Sequence, residues 1–131
     1  MFSPDSSFVV LYSTDIARTR GFFEKLGVIP TEFTDEKCVV SIGSLELHYI
    51  LNTSEPFEAY KYIARPGGFG QGAVFYIETT DIDALPQLVV QAGGTLKSEI
   101  FENQWECREL LVEDPEGFKF AFYESAKTLQ H

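Results

Sequence analysis

Thr14-Asp15-Ile16-Ala17-Arg18-Thr19-Arg20-Gly21-Phe22-Phe23-Glu24-Lys25-Leu26-Gly27 and Thr80-Asp81-Ile82-Asp83-Ala84-Leu85-Pro86-Gln87-Leu88-Val89-Val90-Gln91-Ala92-Gly93-Gly94 are two versions of one pattern. Each opens on a Thr-Asp pair, and an aspartate there is suited to accept from the orphan N–H groups of a first helical turn. Each then carries apolar residues at helical spacing: Ile16, Phe23 and Leu26 in the first, Leu85, Leu88, Val89 and Ala92 in the second. Each closes on glycine, which tolerates the left-handed backbone that ends many helices. Pro86 falls near the first turn, where a missing N–H does least harm. Asp15 to Gly27 and Asp81 to Gly93 both span 12 residues, and the two stretches are offset by 66, about half of the 131-residue chain. The offset marks an internal repeat of one β-α unit.

Working outward, Phe8 to Tyr12 and Ala73 to Glu78 are β-branched and aromatic runs that read as strands before each helix. After the first helix, strands are predicted over Thr31–Thr34, Cys38–Ile42 and Leu45–Leu51, with turns at Asp35-Glu36 and Gly43-Ser44. After the second they are predicted over Thr95–Ile100, Cys107–Val112 and Phe118–Glu124, with Asp114-Pro115-Glu116-Gly117 as a tight turn. The reading is a single α+β domain over residues 1–131. It has one βαβββ module at about 7–52, a linker at about 53–72 and a second module at about 73–125. The linker holds Pro56, Pro66 and four glycines, and its Tyr60, Tyr62, Arg65 and Phe69 suit either a lid or a packed connection.

Composition narrows the function. Hydrophobic residues make up 44% and aromatics 15%, enough for a packed core. Twenty acidic against 10 basic residues leave a net charge of -10, which disfavours nucleic acid and anionic membranes. The same charge attracts a cationic ligand, or simply keeps the surface soluble. Cys38 and Cys107 form no CxxC motif and read as free thiols. Met1-Phe2-Ser3-Pro4-Asp5 lacks a signal-peptide pattern, and no apolar run reaches membrane-span length, so a cytoplasmic location is expected. No nucleophile–base arrangement is visible: the histidines are His48, in a strand, and His131, the last residue. Gly67-Gly68-Phe69-Gly70 lacks the Lys-Ser/Thr of a phosphate loop.

Several of these motifs, in order, resemble the vicinal oxygen chelate (glyoxalase, bleomycin resistance protein, dioxygenase) superfamily. Leu11 to Ile16 with Phe22 to Gly27 is similar to its opening strand-helix unit. Asp81 to Leu85 with Ala92-Gly93-Gly94 is similar to the second-module version, and Asp114 to Gly117 to its closing turn. The resemblance covers about residues 8–124 and implies two βαβββ modules whose curved mixed sheets form a cup, with helices outside. In the enzymes four cup-facing side chains bind a divalent metal. The matching positions here are Phe8, Val74 and Ala121, which cannot donate a lone pair, and Glu46, which alone keeps a ligand type. No metal or other cofactor is therefore expected. Leu45-Glu46-Leu47-His48-Tyr49 and Gln104 to Leu110 resemble segments of the bleomycin-resistance branch, which implies a homodimer that sequesters a cationic drug in grooves between subunits.

The resemblance also implies which faces look into the cup. Strand alternation puts Glu46, His48 and Ile50 on one face, Phe8, Val10 and Tyr12 on another such face, and likewise Val74, Tyr76 and Glu78. Lys119, Ala121 and Tyr123 form a further set, while Val9, Leu11, Phe118, Phe120 and Phe122 pack under the helices. The candidate ligand-binding residues are then Tyr12, Phe33, Glu46, His48, Tyr76, Trp105 and Tyr123, with Trp105 as a stacking surface and Phe33 facing it across the groove. Each also has a plain reading as a core or strand residue. The expected function is a non-enzymatic small-molecule binder. The rivals are a metal-dependent lyase, isomerase or dioxygenase of the same fold, and an interaction module with a filled cup.

Overall fold

The computed structural model of the protein describes residues 2–67 and 69–125, so His131 and Gly68 lie outside the described residues. The first half runs β1 (Val9–Ser13), α1 (Ile16–Lys25), β2 (Glu32–Thr34), β3 (Lys37–Ile42) and β4 (Leu45–Leu51). The second half begins with β5 (Phe75–Glu78) and a 3-10 turn at Ile82–Ala84 that leads into α2 (Leu85–Gln91). It continues with β6 (Thr95–Leu96), β7 (Phe101–Glu102), β8 (Arg108–Glu113) and β9 (Lys119–Glu124). The order β1-β4-β3-β2 in one sheet recurs as β5-β9-β8-β6 in the other, with β7 also paired to β8. In both sheets the first strand lies parallel to the last and the remaining pairs are antiparallel. The α+β fold read from the repeat is present as two mixed sheets with two helices.

The two helix starts differ. Asp15 caps α1, accepting the Arg18 N–H at 3.0 Å, and Gly27 takes φ +89 beyond its end. Asp81 makes no capping bond; the Glu124 carboxylate of β9 accepts the Ile82 N–H at 3.1 Å instead. Of the strand expected over residues 95–100 only Thr95–Leu96 forms, as β6, and β7 begins just beyond it at Phe101. There the Ser98 hydroxyl accepts the Leu111 N–H at 3.0 Å, a ladder bond that a backbone carbonyl would otherwise take. The chain rejoins β8 only where Phe101 pairs with Glu109. Competition of this kind between a side chain and the backbone leaves no trace in apolar periodicity.

One apolar cluster joins both halves. Phe23 of α1 meets Tyr49 of β4 (ring centroids 5.6 Å) and Phe120 of β9 (6.2 Å). A side chain at Gly94 would sit 2.7 Å from the Phe22 ring and 2.9 Å from the Glu113 carbonyl, so only glycine allows this approach. Leu11, Phe118, Phe120 and Phe122 lie in this core, on the helix-facing sides of the sheets, as the alternation predicts. Full burial of each such side chain stabilises the fold by roughly 1.5–3 kcal/mol. The linker packs rather than hangs free: Phe69 stacks on Phe118 at 5.4 Å. At Gly70 an added Cβ would meet the Gly117 carbonyl at 2.3 Å.

The closing turn fastens the second half to the first. The buried Asp114 carboxylate accepts the Glu116 and Phe118 N–H groups (3.0 and 2.9 Å) and the Tyr49 hydroxyl of β4 (2.7 Å). Glu116 accepts the Thr14 N–H (3.0 Å) and the Ser13 hydroxyl (3.1 Å), and pairs with Arg18 at 2.6 Å. Burial pushes the Asp114 carboxyl up to about 6 and the Tyr49 phenol well above its ordinary range.

An unfolded Asp titrates near roughly 3.9, so between that pH and about 6 the folded chain holds a proton that the unfolded chain has lost. This contribution to stability is complete below pH ~4 and disappears as pH rises through ~6. Asp114→Asn keeps the acceptor and removes the titration. We expect wild type to lose up to about 3 kcal/mol relative to that variant between pH 4 and 7, measured by denaturant unfolding at each pH.

Candidate functional site

The helix-free face of the second sheet carries an aromatic recess. Alternation along β5 and β9 brings Tyr76 and Tyr123 to this face, their rings 6.3 Å apart. Glu109 of β8 stands directly opposite Tyr123 and shares its side. The loop between β7 and β8 adds Asn103, Trp105 and Cys107, and these six residues line a depression of about 330 Å³.

Asn103 builds that loop. Its Oδ1 accepts the Trp105 and Cys107 N–H groups (2.9 and 3.1 Å), and its own N–H donates to the Cys107 carbonyl at 2.9 Å. Its Nδ2 donates to Glu109 Oε1 at 2.8 Å. Glu106, at the loop tip, has φ +61, the only positive φ outside glycine among the described residues. The loop therefore holds Trp105 66% exposed at the lip of the recess. Tyr76 is 57% exposed, whereas Glu109 is 7% exposed at its floor.

The charge at that floor is unlike the other buried acids. Asp114 is satisfied by a phenol and two backbone N–H groups. Glu124 has the Ile82 N–H at 3.1 Å and Arg108 at 3.9 Å. Glu109 has one donor among the described residues, the neutral Asn103 amide, and no cation. A carboxylate taken out of water without a counter-charge is costly, and a cationic ligand in the recess offsets that cost.

The other predicted site residues fall elsewhere. Glu46 and His48 do share a face, with His48 Nε2 3.4 Å from Glu46 Oε1. Phe8 stacks on the imidazole at 4.1 Å. Nε2 is buried and makes no hydrogen bond among the described residues. Tyr12 is buried, its hydroxyl donating to Glu55 of the linker at 2.6 Å, and burial pushes its phenol up to about 12. It lines a separate depression with Val10, Tyr60 and Ile63.

Phe33 lies apart from the recess. It pairs with the core residue Cys38, so it lies on the helix side of its sheet, with the Arg20 guanidinium 4.2 Å above its ring. Within one chain it belongs to the other sheet from Trp105's neighbours, and its exposed ring borders a separate depression with Thr14, Asp35 and Leu51. Of the seven predicted residues, the recess unites Tyr76, Trp105 and Tyr123.

The family model that matches residues 7–122 is that of the Glyoxalase/Bleomycin resistance protein/Dioxygenase superfamily. The chain belongs to this superfamily. Solved structures of the superfamily's fold agree. A hypothetical protein from S. aureus is 18% identical, with 94% of this chain and 95% of that chain covered and a TM-score of 0.78. A glyoxalase/bleomycin resistance protein/dioxygenase family enzyme from Burkholderia phytofirmans PsJN is 18% identical over 90% and 96%, with a TM-score of 0.74. TioX from Micromonospora sp. ML1 is 21% identical over 92% and 98%, with a TM-score of 0.64. No curated protein matches the chain.

The residues present do not fit the divalent cation of the superfamily's enzymes. Phe8, Val74 and Ala121, which the resemblance matches to three ligand positions, offer no lone pair, and Phe8 is stacked on His48. Among the described residues no cluster of three or more His, Cys, Asp or Glu forms.

Glu109 and Asn103 are residues of this recess that the motifs did not single out. A trace of each is present: Glu109 is an acid inside the strand read over Cys107–Val112. Asn103 is a turn-forming residue whose side chain can hold nearby backbone. Asn103→Ala removes three side-chain hydrogen bonds. We expect a loss of about 1–3 kcal/mol in stability and a shifted fluorescence of Trp105, the only tryptophan, while Gln104→Ala changes neither.

Proposed function

We propose that the protein is a non-enzymatic binder that sequesters a cationic, ring-bearing small molecule in the recess of Tyr76, Trp105, Tyr123 and Glu109. The observation that carries this reading is the buried Glu109 carboxylate, without a cation of its own, on the floor of an aromatic depression. The rings supply stacking and cation–π attraction, the carboxylate supplies a directed counter-charge, and the net charge of -10 steers cations inward. An antibiotic of the bleomycin type, large and cationic, is one such ligand. The bleomycin-resistance resemblance of the Trp105 segment supports it.

The same reading makes the protein a cytoplasmic homodimer. Phe8, Val10 and Val74 on the helix-free faces are more than two-fifths exposed, and a second copy is the natural cover for such apolar surface. No helix among the described residues is long and apolar enough to cross a membrane.

Thermal-shift and calorimetric titration with cationic aromatic compounds, bleomycin included, tests the binding role, because a ligand of the folded state raises the midpoint by mass action. Glu109→Gln is expected to weaken binding about tenfold or more, the worth of a charge-assisted hydrogen bond. Trp105→Ala weakens it too, and Phe33→Ala leaves it unchanged. If no such compound binds, or if a tightly held transition metal accompanies an activity, the reading fails. Sedimentation at twice the chain's mass is the expected result for the dimer; a monomer at high concentration refutes it.

A further inference from the structure

We infer that the charged group this recess takes is a flat cation bearing N–H donors, such as an amidinium or guanidinium, and not a quaternary ammonium. The inference rests on the binding reading above and specifies the ligand's head group.

The argument starts from what Glu109 still lacks. Its Oε1 is occupied by Asn103 Nδ2 at 2.8 Å, and its Oε2 receives no hydrogen bond from the described residues. Asn103 cannot serve the ligand in turn, because its Oδ1 already holds the Trp105 and Cys107 N–H groups. Oε2 opens to the recess, where water reaches it, so a guest that covers this oxygen must replace that water with an N–H of its own. A charged donor is the strongest choice, because an N⁺–H···O⁻ bond is shorter and about twice as strong as a neutral one. A quaternary ammonium has no N–H and leaves Oε2 bare.

Shape decides between the remaining cations. The carboxylate lies at the floor, and Tyr76, Tyr123 and Trp105 form the surrounding surface. A planar cation directs its N–H groups in its own plane toward the floor while its faces meet the rings. A tetrahedral primary ammonium reaches Oε2 but is compact and strongly hydrated, and offers the rings no face.

The test compares three probes of one ring size and one charge on the full wild-type chain, by calorimetry with Trp105 fluorescence as a second readout. The probes are benzamidinium, benzylammonium and phenyltrimethylammonium. Benzamidinium is expected to bind at least about tenfold more tightly than either of the others, the worth of one charge-assisted bond. In Glu109→Gln that preference is expected to collapse to within about threefold, as the bond loses its charge. Equal or tighter binding of phenyltrimethylammonium or benzylammonium overturns the inference and leaves the binding role standing. A preference that survives in Glu109→Gln overturns it too, because the head group then lies elsewhere. Binding of none of the three overturns both.

Discussion

Two acids on one tight turn hold the two halves of this molecule in register. Asp114 and Glu116 leave the β8–β9 hairpin and reach the first half, Asp114 at the Tyr49 hydroxyl and Glu116 at the β1–α1 junction. Neither contact is a surface ion pair of the kind that contributes little. The Glu116 side chain is 3% exposed, and Asp114 is buried with every contact a directed hydrogen bond. The aromatic core around Phe22, Phe23 and Phe120 is non-directional and tolerates sliding; the turn chooses one position. Gly70 completes that choice by letting the linker backbone lie against Gly117.

The same economy of buried charge separates structure from function in this chain. Asp114 and Glu124 are both surrounded by donors that rigid backbone supplies, which is how a fold keeps a carboxylate inside. Glu109 sits equally deep but is met by a single neutral amide and by three aromatic rings. The recess gathers three rings and this carboxylate on the helix-free face of the second sheet.

The repeat, the α1 cap at Asp15 and the parity of the strands were legible because each is a local rule written in successive residues. Helix stripes, period-two alternation and turn residues need no knowledge of distant parts of the chain. The break between β6 and β7 and the failure of Asp81 to cap were not legible, because Ser98 and Glu124 act across strands. Three of the seven predicted site residues, Tyr76, Trp105 and Tyr123, meet in one recess. The side of the sheet on which Phe33 stands was not legible, because it follows from its pairing with Cys38, and register is a tertiary fact.

From the order of its residues alone, this protein is a duplicated βαβββ chain of the glyoxalase and bleomycin-resistance kind, with hydrocarbon at three of the four positions where relatives hold a metal. Those properties follow from spacing and from side-chain chemistry, which are complete before folding begins. Only the tertiary structure decided which buried acid meets a cation and which meets a single neutral amide. Glu109 and Glu124 are chemically identical in the sequence. They differ because one meets Arg108 and a backbone N–H after folding, and the other meets Tyr76, Tyr123 and Trp105.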